Sequence, residues 1–94
     1  DPSFTASYIY LGYVYELIKS WDKALEQYSR ILQIDSNHAE AYKRRSSLRR
    51  KIGDIQGTIY DLEKAANIFL MQGDVDEYKL LLQYIKDIKT QYSG

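Results

Sequence analysis

Cysteine is absent from the 94 residues of this chain, and histidine and proline each occur once. The chain therefore has no disulfide framework, no thiolate nucleophile and no Cys/His spacing for a zinc site. No apolar run approaches the ~20 residues that a membrane-spanning helix needs, and no signal-peptide pattern is present. The 13 basic and 13 acidic residues cancel, so the chain as a whole is not an evident polyanion binder.

Groups that catalyse reactions or bind phosphate are also scarce. His38, the only imidazole, falls in the polar turn 35–38 without an evident orienting partner and is interpreted as a solvated turn residue. The five glycines are scattered, so no phosphate-binding loop is present. Asp74, Asp76 and Glu77 open a predicted helix, where carboxylates stabilise free amides. We therefore expect no catalytic residue, no metal site and no cofactor, and hence no enzyme.

The sequence does contain an internal repeat, with a period of about 34 residues. Apolar and aromatic residues recur at this distance in both halves of the repeated region. The pairs include Val14 and Leu48, Ile18 and Ile52, Leu25 and Ile59, and Tyr28 and Leu62. A period of this length is typical of two-helix repeats that stack into a solenoid. Because such stacking usually produces an extended binding surface, the pattern directs the search for function to one face of the fold.

Apolar residues at intervals of three and four predict five helices and no strand. The first helix covers about 3–19, the second ends near Ile34, the third covers about 39–52, the fourth extends to about residue 72, and the fifth follows Asp74. Ser3 and Asp54 are predicted N-caps, and Gly53 and Gly73 suit the left-handed backbone that closes a helix. Because the connecting turns are short, successive helices are expected to pack antiparallel.

The first repeat carries a recognisable pattern of aromatic, apolar and small residues. Its positions are Tyr8-x-x-Leu11-Gly12-x-x-Tyr15, followed by Ala24-x-x-x-Tyr28. This pattern resembles that of the tetratricopeptide repeat (TPR) family. The second repeat departs from it, with Arg45-Ser46 in place of Leu-Gly and Thr58 in place of Ala. The resemblance covers about residues 1–72, and the segment 73–94 looks like the capping helix that ends such arrays.

The resemblance implies a single domain over residues 1–94, folded as a right-handed α-solenoid of antiparallel helix hairpins. Its parts are a possible tail of a preceding repeat at 1–4, repeat one at 5–38, repeat two at 39–72 and a capping helix at 73–94. In this family the first helix of each pair lines a concave groove, and the usual function is protein–protein interaction. The residues expected to be structural are Tyr8, Leu11, Gly12, Tyr15, Ala24, Tyr28, Arg45 and Asp61.

Gly12 and Ala24 are small residues at predicted positions of close approach between the first two helices. Gly12 is expected to face Ala24 where the helices cross, so that a bulky residue at either position forces them apart. The second repeat has Ser46 and Thr58 at these positions, which predicts a wider crossing.

A paired difference between the repeats predicts an ion pair. The first repeat has Leu11 and Gln27, whereas the second has Arg45 and Asp61 at the two equivalent positions. Because both members change together, we expect Arg45 of the third helix to reach Asp61 of the fourth. A partly shielded pair of this kind is sensitive to the removal of one partner.

The segment 43–51 holds six basic residues in nine positions. With the geometry that the resemblance implies, helical phase brings part of this segment to the groove together with residues of the first and fifth helices. The residues predicted to bind a peptide are Ile9, Tyr10, Tyr13, Leu17, Lys43, Arg44, Ser47, Arg50, Lys51 and Tyr84. An aromatic and aliphatic end beside a cationic middle suits an extended or helical peptide with acidic and apolar side chains.

The favoured function is therefore a non-catalytic protein–protein interaction module with no membrane span. The compartment is left open by the sequence, and the cytoplasm is the favoured one. The chaperone-binding carboxylate clamp of some TPR domains is not predicted, because Ile9, Tyr13 and Arg44 replace its Lys and Asn residues. One alternative is nucleic-acid or polyanion binding through 43–51, against which the zero net charge counts. Another is weak self-assembly through an exposed repeat flank that includes Phe4, Ile9 and Tyr13. The sequence does not identify the partner.

Overall fold

The computed structural model describes residues 2–93, which form five α-helices joined by turns of three or four residues. The helices are α1 (Pro2–Leu17), α2 (Trp21–Ile34), α3 (Ala39–Lys51), α4 (Ile55–Met71) and α5 (Val75–Tyr92). The prediction of an all-α fold with five helices is confirmed, and no strand occurs between residues 2 and 93. Asp1, predicted to belong to the tail of a preceding repeat, lies outside the described residues.

Local signals set the helix ends. Gly53 and Gly73 have φ angles of +89° and +82°, a left-handed backbone that glycine adopts without strain, and they follow α3 and α4 as predicted. Asp54 caps α4, because its carboxylate accepts a hydrogen bond at 2.9 Å from the N–H three residues later. Ser3 is not the N-cap of α1, since the helix already includes Pro2.

His38 caps α3, so its interpretation as a solvated turn residue without a partner is wrong. The imidazole Nδ1 accepts a hydrogen bond from the N–H of Ala41 at 3.1 Å. A ring nitrogen at this position satisfies one of the free amides of the first helical turn, as a Ser or Asp oxygen does elsewhere. His38 therefore helps to fix the start of the helix that carries half of the predicted peptide-binding residues.

Replacing His38 with alanine is expected to lower the free energy of unfolding by about 0.5–2 kcal/mol, because the cap is lost. Asparagine, a preferred N-cap residue, is expected to retain most of that stability. Thermal unfolding followed by circular dichroism measures both effects, with Ser36→Ala in the exposed part of the same turn as the matched control. A melting temperature for His38→Ala that matches the control would show that the cap contributes nothing.

Helices that are neighbours in the chain pack against each other throughout the fold. The first core cluster, between α1, α2 and α3, contains Ala24, Tyr28, Ile31, Ala41 and Leu48. The second core cluster, between α3, α4 and α5, includes Tyr42, Leu62, Ala65, Ile85 and Ile88. This pattern of packing is the one expected of a helical solenoid. Across residues 2–93, no helix combines the length and the hydrophobicity required to cross a membrane.

In the described part of the chain, one side of α1 is left uncovered. Phe4, Leu11, Val14 and Ile18 form this α1 flank, and they are between 44% and 63% exposed. Leu11, which was expected to be structural, is thus exposed and belongs to neither core cluster. Leu48, the counterpart of Val14 in the second repeat, is fully buried because α2 packs against α3. The corresponding side of α1 is exposed, because α2 covers only the opposite side of that helix.

A buried ion cluster joins α3 to α4. Arg45 donates two hydrogen bonds to the Asp61 carboxylate, at 2.9 and 2.8 Å, so the predicted pair is present. Arg49 brings a second guanidinium to within 3.1 Å of the same carboxylate, which is completely buried. Burial alone opposes the charge of Arg45, but the hydrogen bond and the charge of Asp61 raise the pKa of this guanidinium above its ordinary value. Arg45 therefore remains charged in this partly buried position.

Gly12 makes room for an aromatic ring in the first hairpin, rather than for Ala24 as predicted. A Cβ at Gly12 would lie 2.6 Å from Cζ of Tyr28, and the nearest atoms all belong to that side chain. Tyr28 and Ala24 are both fully buried in the first core cluster. The Tyr28 hydroxyl donates a hydrogen bond to Glu16 of α1, so the ring is held across the glycine.

Candidate functional site

Helices α3 and α5 run side by side and are joined by two side-chain bridges. Lys43 Nζ lies 2.6 Å from Glu77 Oε1. Arg50 Nη1 donates a hydrogen bond to the Tyr84 hydroxyl at 2.8 Å, and Nη2 donates one to Gln91 Oε1 at 3.0 Å. Both Lys43–Glu77 and Arg50–Tyr84 join residues that are 34 apart in sequence. The two helices therefore point in the same direction, one repeat length apart.

An apolar pocket of about 260 Å³ lies between these bridges, and we call it the α3–α5 pocket. The side chains that line it between the two bridges are Ser46, Ser47, Thr58, Leu62, Leu80 and Leu81. Leu62 and Leu81 are almost fully buried at its base, whereas Leu80 is 66% exposed at its edge. Pockets of this kind, mostly apolar with a few polar groups at the edge, are the usual form of a ligand site.

The first repeat has larger side chains at two of the positions that line this pocket in the second. Tyr13 is the first-repeat counterpart of Ser47, and its ring lies 4.4 Å from the Arg44 guanidinium. Tyr28 is the first-repeat counterpart of Leu62, and its hydroxyl bonds Glu16. Two tyrosines of the first repeat thus stand where the second has a serine and a leucine.

The hydroxyl of Tyr28 remains a donor across the ordinary pH range. Burial of the phenol, and then the hydrogen bond to Glu16, raise the pKa of Tyr28 well above its ordinary value. The Tyr28 hydroxyl therefore stays protonated and able to donate to Glu16 at neutral and moderately alkaline pH.

A continuous groove connects the α1 side of the molecule to the α3–α5 pocket. Tyr13 and Leu17 of α1 lie around a shallow depression with Arg44. A neighbouring depression, lined by Glu16, Glu40, Lys43, Arg44 and Ser47, leads to the pocket. The groove is formed by Tyr13, Glu16, Leu17, Glu40, Lys43, Arg44, Ser47, Arg50, Glu77, Leu80 and Tyr84. Side chains of α1, α3 and α5 thus contribute to one surface.

The groove is not the cationic surface that the sequence suggested, because carboxylates neutralise two of its basic residues. Lys43 pairs with Glu77, while Arg44 lies 3.1 Å from Glu40 and 4.0 Å from Glu16. The sequence carried two signals for these pairs: Glu40 precedes Arg44 by one helical turn, and Glu77 follows Lys43 by one repeat.

Arg50 differs from the other groove cations in its partners. Among the residues that the structure describes, the two side chains that its guanidinium contacts, Tyr84 and Gln91, are both neutral. Arg50 therefore keeps its net positive charge at the edge of the α3–α5 pocket, and a carboxylate is the natural ligand for a guanidinium so placed.

Three of the predicted peptide-binding residues lie elsewhere. Ile9 packs against the first core cluster, and the partly buried Tyr13 contacts the same cluster. Tyr10 is 68% exposed and lines none of the groove depressions described above. The Lys51 ammonium lies 4.5 Å from the ring of Trp21, at the start of α2, because it extends away from the groove. Without Ile9, Tyr10 and Lys51, the candidate site is smaller than predicted and is centred on α3 and α5.

Within residues 2–93, no group of acidic or histidine side chains is arranged to hold a metal ion. Neither a scan against protein-family models nor a search of curated proteins produced a match to this chain.

Proposed function

We propose that this chain is a TPR-like interaction module that binds a peptide segment of a protein partner in the groove, without catalysis. The observation that carries the proposal is the continuity of the groove across α1, α3 and α5. Exposed Leu17 and Leu80 offer apolar contact, and Ser47 and Arg50 offer polar contact between them. Peptide grooves combine these features, with apolar contacts for affinity and a few polar groups for orientation.

The ligand best matched to this surface is an extended or helical peptide with acidic and apolar side chains. Arg50 provides the site for an acidic group, and the α3–α5 pocket accepts an apolar one. Because the groove spans only three helices, we expect micromolar binding, about −8 kcal/mol or weaker.

Backbone amide shifts in a two-dimensional NMR titration test this proposal. A library of random twelve-residue displayed peptides is first selected on the folded chain, and the strongest binder is then added to ¹⁵N-labelled protein. The largest shifts are expected at Ser47, Leu80 and Tyr84. Gln56 and Lys64, on exposed positions of α4, serve as internal controls. Shifts confined to α2 and α4, or the absence of any selected binder, would contradict the proposed function.

Self-association through the α1 flank is a second candidate, and the exposure of that flank is the observation that favours it. Within Pro2–Leu17, Glu16 is the one charged residue, and it bonds Tyr28 rather than lying on the flank. An uncharged apolar helix face of this kind is usually covered by another helix.

Replacing Val14 with lysine is expected to abolish any self-association, since it introduces a charge at the centre of the α1 flank. Sedimentation equilibrium should then show a mass that increases with concentration for the wild type and remains monomeric for Val14→Lys. Lys64→Glu, on an exposed position of α4, is the control. A wild-type mass that does not depend on concentration would eliminate this candidate.

Nucleic-acid binding through residues 43–51 is not proposed. Arg45 and Arg49 are committed to the buried Asp61, and Lys43 and Arg44 contact carboxylates. Few cations in this segment are left to neutralise phosphates, and phosphate contacts supply most of the non-specific affinity for nucleic acids.

A further inference from the structure

We infer that the α3–α5 pocket is a two-point recognition site for one apolar side chain and one carboxylate, placed one or two residues apart in an extended peptide. This inference rests on the proposed function and narrows it, because it specifies the ligand's chemistry and the spacing of its two groups. Its basis is the position of an apolar cavity directly beside a guanidinium with neutral partners.

The apolar point is defined by the walls of the pocket. The Lys43–Glu77 bridge closes one end and the Arg50–Tyr84 bridge closes the other. Between them, Leu62 and Leu81 offer a buried apolar base for an inserted side chain. Inserting an aliphatic or aromatic side chain removes apolar surface from water on both partners, which is favourable in proportion to the area buried.

The second repeat lines this pocket with smaller side chains than the first repeat has at the same positions. Tyr13 and Tyr28 stand where the second repeat has Ser47 and Leu62, and Tyr13 also lies against Arg44. Because Ser47 takes the place of Tyr13, its small side chain leaves the entrance to the pocket open. Replacing Ser47 with tyrosine, the residue of the first repeat at this position, should therefore close the pocket.

The carboxylate point is defined by charge. Arg50 contacts a phenol hydroxyl and an amide oxygen, so a ligand carboxylate can replace these neutral partners with two charge-assisted hydrogen bonds. At the opposite end, Lys43 is already paired with Glu77, and an acidic ligand group there would meet a carboxylate. This difference between the two ends places the ligand's carboxylate at the Arg50 end of the pocket.

The spacing follows from helix geometry. Ser47, at the middle of the pocket, precedes Arg50 by three residues, which is about 4.5 Å along a helix axis. An extended peptide advances about 3.3 Å per residue. The acidic residue is therefore expected one or two positions from the apolar residue.

A peptide array tests this inference directly. The probes are nine-residue Ser/Gly peptides with Leu, Phe or Ala at the centre and one Glu or Gln at each of the other positions in turn. They are incubated with the wild type and with Ser47→Tyr, Arg50→Gln and Lys86→Gln. Lys86 provides the matched control, since it is exposed and lies about 200° around α5 from Tyr84. Affinities of the strongest and weakest peptides are then measured by calorimetry.

For the wild type and Lys86→Gln, binding should be strongest when Glu lies one or two positions from Leu or Phe. Exchange of Glu for Gln, or of Leu for Ala, should reduce affinity about tenfold or more. Arg50→Gln should remove the preference for Glu but retain the preference for Leu. Ser47→Tyr should remove the preference for Leu, with a wild-type circular dichroism spectrum and melting temperature because position 47 is exposed.

Two different failures are distinguishable. If Glu and Gln peptides bind equally, or if the spacing has no effect, while peptides still shift the groove amides in the NMR titration, the two-point site is wrong and the groove function stands. If no peptide on the array or from the display selection binds the groove, the proposed function fails together with this inference.

Discussion

Replacing Asp61 with alanine is expected to lower the free energy of unfolding by about 3–5 kcal/mol. The substitution leaves the partly buried guanidinium groups of Arg45 and Arg49 without the carboxylate that they share. Both the loss of the hydrogen bonds and the repulsion of two like charges act against the folded state. Because small domains have only about 5–15 kcal/mol of stability in total, this loss is a large fraction of it.

Urea unfolding followed by circular dichroism measures this effect. Asp87→Ala is the control, since Asp87 is an exposed carboxylate that bonds only the neighbouring Gln83 amide among the described contacts, and its removal should cost less than about 0.5 kcal/mol. The combined replacement Arg45→Leu, Arg49→Tyr and Asp61→Gln installs the residues of the first repeat and should recover much of the lost stability. Equal midpoints for Asp61→Ala and Asp87→Ala would contradict the role assigned to the buried cluster.

Replacing Gly12 with serine is expected to lower the free energy of unfolding by about 1–3 kcal/mol, because the core becomes overpacked. The added Cβ would lie 2.6 Å from the ring of Tyr28, which is held in place by its hydrogen bond to Glu16. The ring cannot withdraw without breaking that bond or displacing α1 from α2. The clash is therefore not relieved by a small side-chain rotation.

The second repeat shows how this clash is avoided, since it has Ser46 and Leu62 where the first has Gly12 and Tyr28. Tyr28→Leu alone should also destabilise, because it leaves a cavity and removes the hydroxyl that donates to Glu16. The double variant Gly12→Ser, Tyr28→Leu, however, should be less destabilised than the two single variants together. Its loss of unfolding free energy should be at least about 1 kcal/mol smaller than the sum of the two single losses, because residues in contact are expected to couple. Thermal and urea unfolding of all four proteins gives this coupling, and simple additivity would show that the glycine and the ring do not interact.

The parts of the fold that depend on local signals were predictable from the sequence. The left-handed Gly53 and Gly73 and the capping Asp54 lie where turn chemistry placed them. The Arg45–Asp61 pair was also predictable, although its partners are on different helices, because the two positions change together between repeats. In each case the information is contained in residue type and in the period of the repeat.

Features that depend on the distance between helices were not predictable in the same way. Helical phase placed Lys43 in the groove, but it did not show that Glu77 would reach across from α5 and neutralise it. Phase also placed Gly12 at the helix crossing, yet the nearest atoms belong to Tyr28 because that long side chain extends over the glycine. The α3–α5 pocket is lined by Ser47 and Leu62 of the second repeat, which are smaller than Tyr13 and Tyr28 at the same positions of the first. Its existence becomes evident only when the helix positions are known.

The structure of the chain bound to its selected peptide tests the groove most directly. We expect the peptide backbone to lie between α3 and α5, with an apolar side chain in van der Waals contact with Leu62 and Leu81 and a carboxylate hydrogen-bonded to Arg50. A peptide bound instead to the outer surfaces of α2 and α4, or along the α1 flank with the α3–α5 pocket vacant, would contradict the site and the function proposed for it.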